Sequence, residues 1–247
     1  MIRFILIFLS LALPSQAQQY WDWQLSDPYD LNVDAQILII EPDDLSAGDV
    51  AALKARGVMP YCYLSVGTWE NYRDDADQFP ADLLGNTLGN WPDERYLDIR
   101  RMDLVLPLMR KRIETCARKG FVGVEGDNID AFENDNGLGL TLRDSLTYVR
   151  ALAHIAHGLG MQYIQKNAPE LVPDLVDELD FILVEECFQY RFCPDIAPYA
   201  NAGKDVLAVE FFKSEQDWDQ LCEQARELGF HLIIKTKDIL PGGLVCN

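Results

Sequence analysis

The chain is poor in histidine and in basic residues. Three His among 247 residues leave few ligands for a His-bound metal. His154 and His157 sit inside a helical pattern, and His231 opens a strand pattern at the wrong end for a site, so all three read as structural. Lys and Arg number 21 against 40 Asp and Glu, a formal net charge of −19. Phosphate binding needs a basic surface, so nucleic acid is excluded as a partner. No CxxC or HExxH spacing is present to hold zinc. No GxGxxG or P-loop follows a strand pattern, which removes the usual nucleotide sites. Ser65 has no GxSxG context, so a serine esterase is disfavoured. No metal and no cofactor are expected. Low-complexity tracts and Gly/Ser linkers are also missing, so residues 18–247 are expected to form one domain.

Long apolar runs are scarce too. The one candidate is 4–13, preceded by Arg3 and followed by a small-x-small ending at 15–17. That is the pattern of a secretory signal peptide over 1–17. It is too short to span a bilayer core of roughly 30 Å as a helix. The mature chain is expected to be secreted or periplasmic, monomeric, and without a stable membrane anchor. Losing Arg3 and no acid takes its net charge from −19 to about −20. Such a surface attracts a polycation. The six Cys, an even number in an exported chain, favour disulfides. Cys187 and Cys193 are close enough to clip one loop. Cys222 and Cys246 can tie the last helix to the C-terminus. Cys62 and Cys116 remain, either as a third bridge or as buried thiols.

What is present is alternation. Short apolar runs at 21–25, 36–41, 59–65, 121–125, 161–165, 181–185, 206–211 and 231–235 read as parallel strands covered on both faces. Helical patterns at 45–56, 104–119, 142–159, 170–178 and 215–228 lie between them. Asp103 is placed to cap the second and Thr141 the third. Gly57, Gly120, Gly160 and Gly229 each follow a helix just before a strand, where a residue tolerant of positive φ is wanted. Eight strands alternating with helices predict a single-domain α/β fold, a (β/α)8 TIM barrel, with an open doubly wound sheet as the alternative.

In a barrel, active groups gather at the C-terminal ends of the strands. That mouth would collect Trp23 and Gln24, Asp43, Tyr63 and Trp69, and the cluster Glu125, Asp127, Asn128 and Asp130. Lys166, Asn167, Glu185, Glu186 and Glu210 complete it. Aromatic faces stack on sugar rings, and amides and carboxylates bind hydroxyls and amines, so the set suits a carbohydrate. Apolar strands that end in carboxylates can bring two of them face to face, which is how glycosidic bonds are cut. The competing readings are a non-catalytic barrel that binds a cationic polysaccharide, and a polysaccharide deacetylase.

Five segments in this order, WDWQL at 21–25, YCYLSVGTWE at 61–70, WPDERYLDIR at 91–100, KGFVGVEGDNID at 119–130 and EECFQY at 185–190, resemble glycoside hydrolase family 114. That family contains endo-α-1,4-polygalactosaminidases on (β/α)8 barrels. The resemblance implies cleavage of α-1,4-linked galactosamine or N-acetylgalactosamine polysaccharide, a cationic amino-sugar polymer. It matches Asp127 to the nucleophile and Glu185 to the general acid/base of a two-carboxylate, retaining mechanism. Around that pair, Glu125, Asp130, Glu210 and Asp43 are candidates to bind amines. Trp23, Tyr63, Trp69 and Tyr190 are candidates to stack on sugar rings. Gln24, Asn128, Lys166, Asn167 and Glu186 are further substrate-binding candidates. The chain departs from the family at Gly126, where Pro is usual and where the loop aiming Asp127 could loosen. It also departs at Val184, often Asn, where a hydrogen bond near Glu185 could be lost.

Overall fold

The structure, a computed structural model, describes residues 19–212 and 217–246. The expected leader at 1–17 lies outside the described residues. Among the described residues there are twelve strands: β1 (Gln19–Gln24), β2 (Ala35–Ile40), β3 (Met59–Ser65), β4 (Thr68–Glu70), β5 (Leu84–Leu88), β6 (Trp91–Leu97), β7 (Gly123–Asp127), β8 (Gln162–Lys166), β9 (Phe181–Glu185), β10 (Val206–Phe211), β11 (His231–Lys235) and β12 (Leu244–Val245). The α-helices are α1 (Ala47–Ala55), α2 (Met102–Lys119), α3 (Leu142–Gly158), α4 (Val172–Leu175), α5 (Cys187–Tyr190), α6 (Cys193–Asn201) and α7 (Trp218–Leu228). Among the described residues no helix is long and apolar enough to cross a membrane.

The main sheet runs β1-β2-β3-β7-β8-β9-β10-β11, all parallel, with β12 added antiparallel to β11. It curls until its first and last parallel strands meet. The Trp21 indole N–H donates to the His231 carbonyl at 2.8 Å. The Lys235 ammonium reaches Asp22 at 2.6 Å, both buried. The Leu25 N–H donates to the Ile239 carbonyl at 3.1 Å. These contacts close the TIM barrel predicted from the alternation.

Strand periodicity divides the side chains between two layers. Trp21, Trp23, Ile37, Ile39, Tyr61, Tyr63, Ile164, Leu183 and Val209 fill the barrel interior. Their neighbours Leu38, Ile40, Cys62, Leu64 and Val124 pack outward against the helices. Ile182, Val184 and Ala208 do the same on the far side. Val184 therefore points away from the mouth, and the hydrogen bond near Glu185 is supplied by Asn167 instead.

Helix ends follow the local chemistry. Ser46 and Thr141 each form a capping box with an Asp three residues on. Gly57, Gly120, Gly160 and Gly229 all take positive φ. Asp103 does not cap α2. The helix begins one residue before it, at Met102, and Asp103 sits in the first turn, where its charge suits the positive end of the dipole. The helix expected over 170–178 is shorter. Pro169 opens a 3-10 turn and Pro173 follows at the start of α4, so the α-helical part is only Val172–Leu175. All six cysteines pair: Cys62–Cys116, Cys187–Cys193 and Cys222–Cys246, with Cα separations of 6.1, 4.9 and 5.1 Å. The first joins β3 to α2.

A second sheet, β4-β6-β5, is inserted between β3 and α2. β5 and the first half of β6 are polar and exposed and β4 has only three residues, so the sheet lacks the apolar signature that marks the barrel strands.

Gly126 lies inside β7, paired with Leu64, rather than in a loose loop. A Cβ at this position would meet the Tyr163 hydroxyl at 2.1 Å. Tyr163 is fully buried and its hydroxyl has no hydrogen-bond partner. Overpacking of this kind costs about 1–3 kcal/mol, whereas removing an unpartnered buried hydroxyl costs little. In urea titrations, Gly126→Ala is expected to lower stability by about that amount and Tyr163→Phe to leave it level or raise it. A fully stable Gly126→Ala protein would contradict the packing.

Candidate active site

Three neighbouring strands end in the same way. β7 ends at Asp127 and is followed by Asn128 at φ 62; β8 ends at Lys166 and is followed by Asn167 at φ 47; β9 ends at Glu185 and is followed by Glu186 at φ 53. Left-handed backbone at non-glycine residues costs about 1–3 kcal/mol where nothing compensates, and it clusters at functional sites. Here the surroundings hold each turn. The Asn128 N–H donates back to Asp127 Oδ1 at 2.8 Å, and its side-chain amide donates to Ser65 Oγ at 2.9 Å. Gly67 lets the Asn128 carbonyl approach, since a Cβ there would sit 1.7 Å from it. The Asn167 amide is used at both ends: Oδ1 accepts the Glu185 N–H at 2.8 Å, and Nδ2 donates to Glu185 Oε2 at 3.2 Å.

The side chains converge on Lys166. Its ammonium is buried and donates to Asp127 Oδ1 at 2.9 Å. Glu185 Oε2 lies 2.8 Å from it and Glu125 Oε1 3.8 Å. The Trp23 ring lies beneath, with its centroid 5.0 Å away. Burial alone would drive the proton off Lys166, but Asp127, Glu185 and Glu125 together outweigh it and hold the ammonium well above its ordinary pKa. The Tyr63 hydroxyl donates to Asp127 Oδ2 at 3.1 Å. Burial, with Asp127 next, raises that phenol, so it stays a donor. Burial pushes Glu125 up to about 8, opposed by Lys166 and reinforced by Asp127 and Glu185. Asp130 is raised to about 6 by burial and then by Asp127.

Above these groups is a cleft of about 460 Å³. Of the sequence candidates, Trp23, Tyr63, Asp127, Asn128, Asp130, Lys166, Asn167 and Glu185 line it. Glu186 and Tyr190 line an adjoining depression that shares Asp130, Asn167 and Glu185 with the cleft. Five candidates lie elsewhere. Gln24 is buried and ties Asp22 to the Asp30 backbone. Glu210 is buried and accepts the Phe188 N–H. Both have the strand parity that faces the helices. Asp43 is bound by Arg73 at 2.7 Å on another part of the surface. The Trp69 indole donates to the Ala76 carbonyl. Glu125 has no exposed surface and lies under Lys166, out of reach of a ligand.

The inserted sheet contributes what the strand-end pattern missed. Trp91 and Glu94 of β6, Tyr72 just after β4, and Glu41 line the cleft. Trp91 is 62% exposed and Tyr72 60%, against 1% for Trp23. The open aromatic faces therefore belong to the wall, and Trp23 to the floor. Tyr72 is held in place: its hydroxyl donates to Glu70 at 2.6 Å, and Arg73, which lies against its ring, bridges Glu70 and Glu41. Glu94 accepts from Thr68 at 2.8 Å and is raised to about 7 by burial. Trp91 and Glu94 fall within the 91–100 segment, so the signal for them was the motif rather than the strand pattern.

A sequence model of the glycoside-hydrolase family GH114 matches residues 10–247. The chain belongs to glycoside hydrolase family GH114. It is accordingly a glycoside hydrolase, and the family expected from the five segments is the one found. The fold is similar to that of Aspergillus fumigatus Ega3, solved in complex with galactosamine, at 31% identity over 95% of this chain and 98% of that one, with a TM-score of 0.85. It also resembles the glycoside hydrolase domain of PelA from Pseudomonas aeruginosa, at 18% identity over 93% of this chain and 99% of that one, TM-score 0.73. A maltogenic α-amylase from Thermotoga neapolitana shares the fold alone, at 10% identity over 91% of this GH114 chain and 69% of that one, TM-score 0.54. Comparison with curated protein sequences returns no match.

Glu125, Glu94 and Asp130 all hold their protons more tightly folded than unfolded. The folded protein then binds more protons than the unfolded chain from about pH 4 up to about pH 8, and its stability falls as pH rises through that window. Asp75, Asp98 and Asp205, which are lowered, titrate below it. Calorimetric melting midpoints are expected to decline from pH 5 to pH 8. A midpoint that rises across this range would contradict the site electrostatics.

Proposed function

We propose that this chain is an exported enzyme that cuts α-1,4-linked galactosamine and N-acetylgalactosamine polysaccharide with retention of configuration. Asp127 is the nucleophile and Glu185 the general acid/base. The observation that carries the reading is the shared ammonium. Asp127 Oδ1 and Glu185 Oε2 sit 2.9 and 2.8 Å from the same Lys166 nitrogen, so they are at most about 5.7 Å apart. Retaining glycosidases place their carboxyl groups about 5–5.5 Å apart, and inverting ones about 6.5–9.5 Å. In the first step Glu185 gives its proton to the glycosidic oxygen as Asp127 bonds to the anomeric carbon. In the second, Glu185 takes a proton from water, and the water oxygen replaces Asp127.

The substrate class is supported by the galactosamine bound to Ega3 and by the charge of the cleft. Glu41, Glu94, Asp130 and Asp238 line it, in a chain of net charge −19. An arriving sugar ammonium favours the ionised forms of the raised acids Asp130 and Glu94 and is itself bound by them. Trp91 and Tyr72 offer ring faces for stacking. Three disulfides agree with an oxidising compartment, as the leader pattern does.

Release of reducing ends from partly deacetylated galactosamine polymer tests this directly. Wild type is expected to release them. Glu185→Gln should lose about 10²–10⁴-fold, the usual contribution of a positioned acid, and Asp127→Asn should be inert. The first-formed product should carry the α-anomer by NMR. Tight binding with no new ends would select the non-catalytic barrel, and acetate release without chain cleavage the deacetylase. Separately, Trp91→Ala should raise KM severalfold with little change in kcat, the pattern of lost uniform binding. Added salt should raise KM for the polymer, since screening weakens attraction between exposed charges. An unchanged KM in both experiments would remove the wall and the surface charge from substrate binding.

A further inference from the structure

Three carboxyl groups surround one ammonium in this site, and the mechanism uses only two of them. Glu125 is fully buried, and neither of its oxygens has a hydrogen-bond partner among the described residues. The Trp23 indole N–H approaches it without meeting hydrogen-bond geometry and is itself left without a partner. Lys166 is 3.8 Å away, and its donors are directed at Asp127 and Glu185, at 2.9 and 2.8 Å. The groups facing Glu125 are Lys166 from β8, Asp127 on its own strand, Glu185 from β9, Trp23 from β1 and Tyr63 from β3. An ionised carboxylate in that position would be buried without a hydrogen bond and without a cation of its own, a state proteins avoid by protonation.

We propose that Lys166 is the fixed counter-cation of both half-reactions, its ionised partner alternating between Asp127 and Glu185, while Glu125 stays protonated beneath it and keeps the buried shell neutral. The inference rests on the catalytic roles given to Asp127 and Glu185. The charges balance at each stage. In the substrate complex poised for the first step, Lys166 is +1 and Asp127 −1, with protons on Glu185 and Glu125. In the first step the Glu185 O–H bond breaks, its proton goes to the leaving oxygen, and the C1–O bond breaks as the Asp127–C1 bond forms. Asp127 is then a neutral ester and Glu185 carries −1, still 2.8 Å from the same ammonium. In the second step water gives a proton to Glu185 and its oxygen to C1, and Asp127 leaves as the carboxylate. The shell sums to zero throughout, so no charge is created in a dry environment, and the ammonium need not move. If Glu125 ionised, the shell would carry −1 and Lys166 would be drawn down from the pair it serves. Lys166 and Glu125 are positioning residues on this account.

Burial raises Glu125 to about 8. Asp130 and Glu94, the other raised acids of the cleft, are at about 6 and about 7, so they titrate on the acid side of it.

Two variants and one spectrum test the proposal, with an activated aryl glycoside of a galactosamine oligomer as substrate. Lys166→Met is expected to slow both the pre-steady-state burst and the steady-state rate by at least about 100-fold, the loss typical of one preorganised electrostatic group. Slowing of only one step would overturn the alternation. Glu125→Gln copies the protonated acid and does not depend on whether the Lys166 variant folds. It should move the alkaline fall of kcat/KM, centred near pH 8 in wild type, upward by about one unit or more. An unmoved alkaline limb, or a loss at every pH as deep as that of Glu185→Gln, would overturn the inference. The carboxyl ¹³C signal of Glu125 should titrate near pH 8 in resting enzyme, without turnover. Titration near 4.5 with Asp127→Asn and Glu185→Gln still inert would defeat this inference alone, whereas full activity in those two variants would defeat the parent reading.

Discussion

One buried ammonium organises this enzyme. Lys166 lies at the end of β8, over the Trp23 ring of β1 and between the last residues of β7 and β9. A lysine with 2% of its surface exposed needs partners, because its hydration has been removed. The carboxylates that satisfy it are drawn within 3 Å of a common point, which is a spacing a two-carboxylate hydrolase needs. The same ion group therefore serves stability and geometry together.

The barrel and the inserted sheet divide the work. Barrel strands supply Asp127, Glu185 and their donors, set by parallel ladders and a packed interior. The β4-β6-β5 sheet supplies exposed aromatic faces and a raised carboxyl at the cleft wall. A chain of side-chain hydrogen bonds joins the two parts: Asn128 to Ser65, Ser65 to Thr68, and Thr68 to Glu94. Arg73 does a similar task lower down, linking Glu41 of the barrel to Glu70 of the insertion. These polar links add to a shared apolar core, in which Tyr96 and Leu97 of the insertion pack with Cys62 and Leu64 of the barrel.

Much of this was legible in the sequence. The eight apolar runs each became a barrel strand because their composition allows burial on both faces, and the helix-ending glycines took the backbone they are suited to. The carboxylates at 127 and 185 were found because they end such runs. Gln24 and Glu210 also end apolar runs, yet they sit one residue out of phase with Trp23 and Val209 and face the helices. Strand ends mark the right height, and parity marks the right side. Parity requires a fixed register, which a short apolar run does not reveal by itself. Glu125 has the right parity but lies too deep, two residues before Asp127. Trp91, Tyr72 and Glu94 were missed for the opposite reason: the first and last lie on the polar, exposed half of β6 and Tyr72 lies just after β4, where no apolar pattern marks the chain.

The tight meeting of Gly126 and Tyr163 bears on how this chain can change over time. A Cβ at position 126 would meet the Tyr163 hydroxyl at 2.1 Å, so any larger residue there needs space that Tyr163 occupies. The two positions are therefore epistatic. A larger residue at 126 is blocked until residue 163 gives up its hydroxyl, and Phe at 163 removes that obstacle without a loss of stability. The order of change therefore matters: a change at 163 opens position 126, whereas a change at 126 made first overpacks the strand.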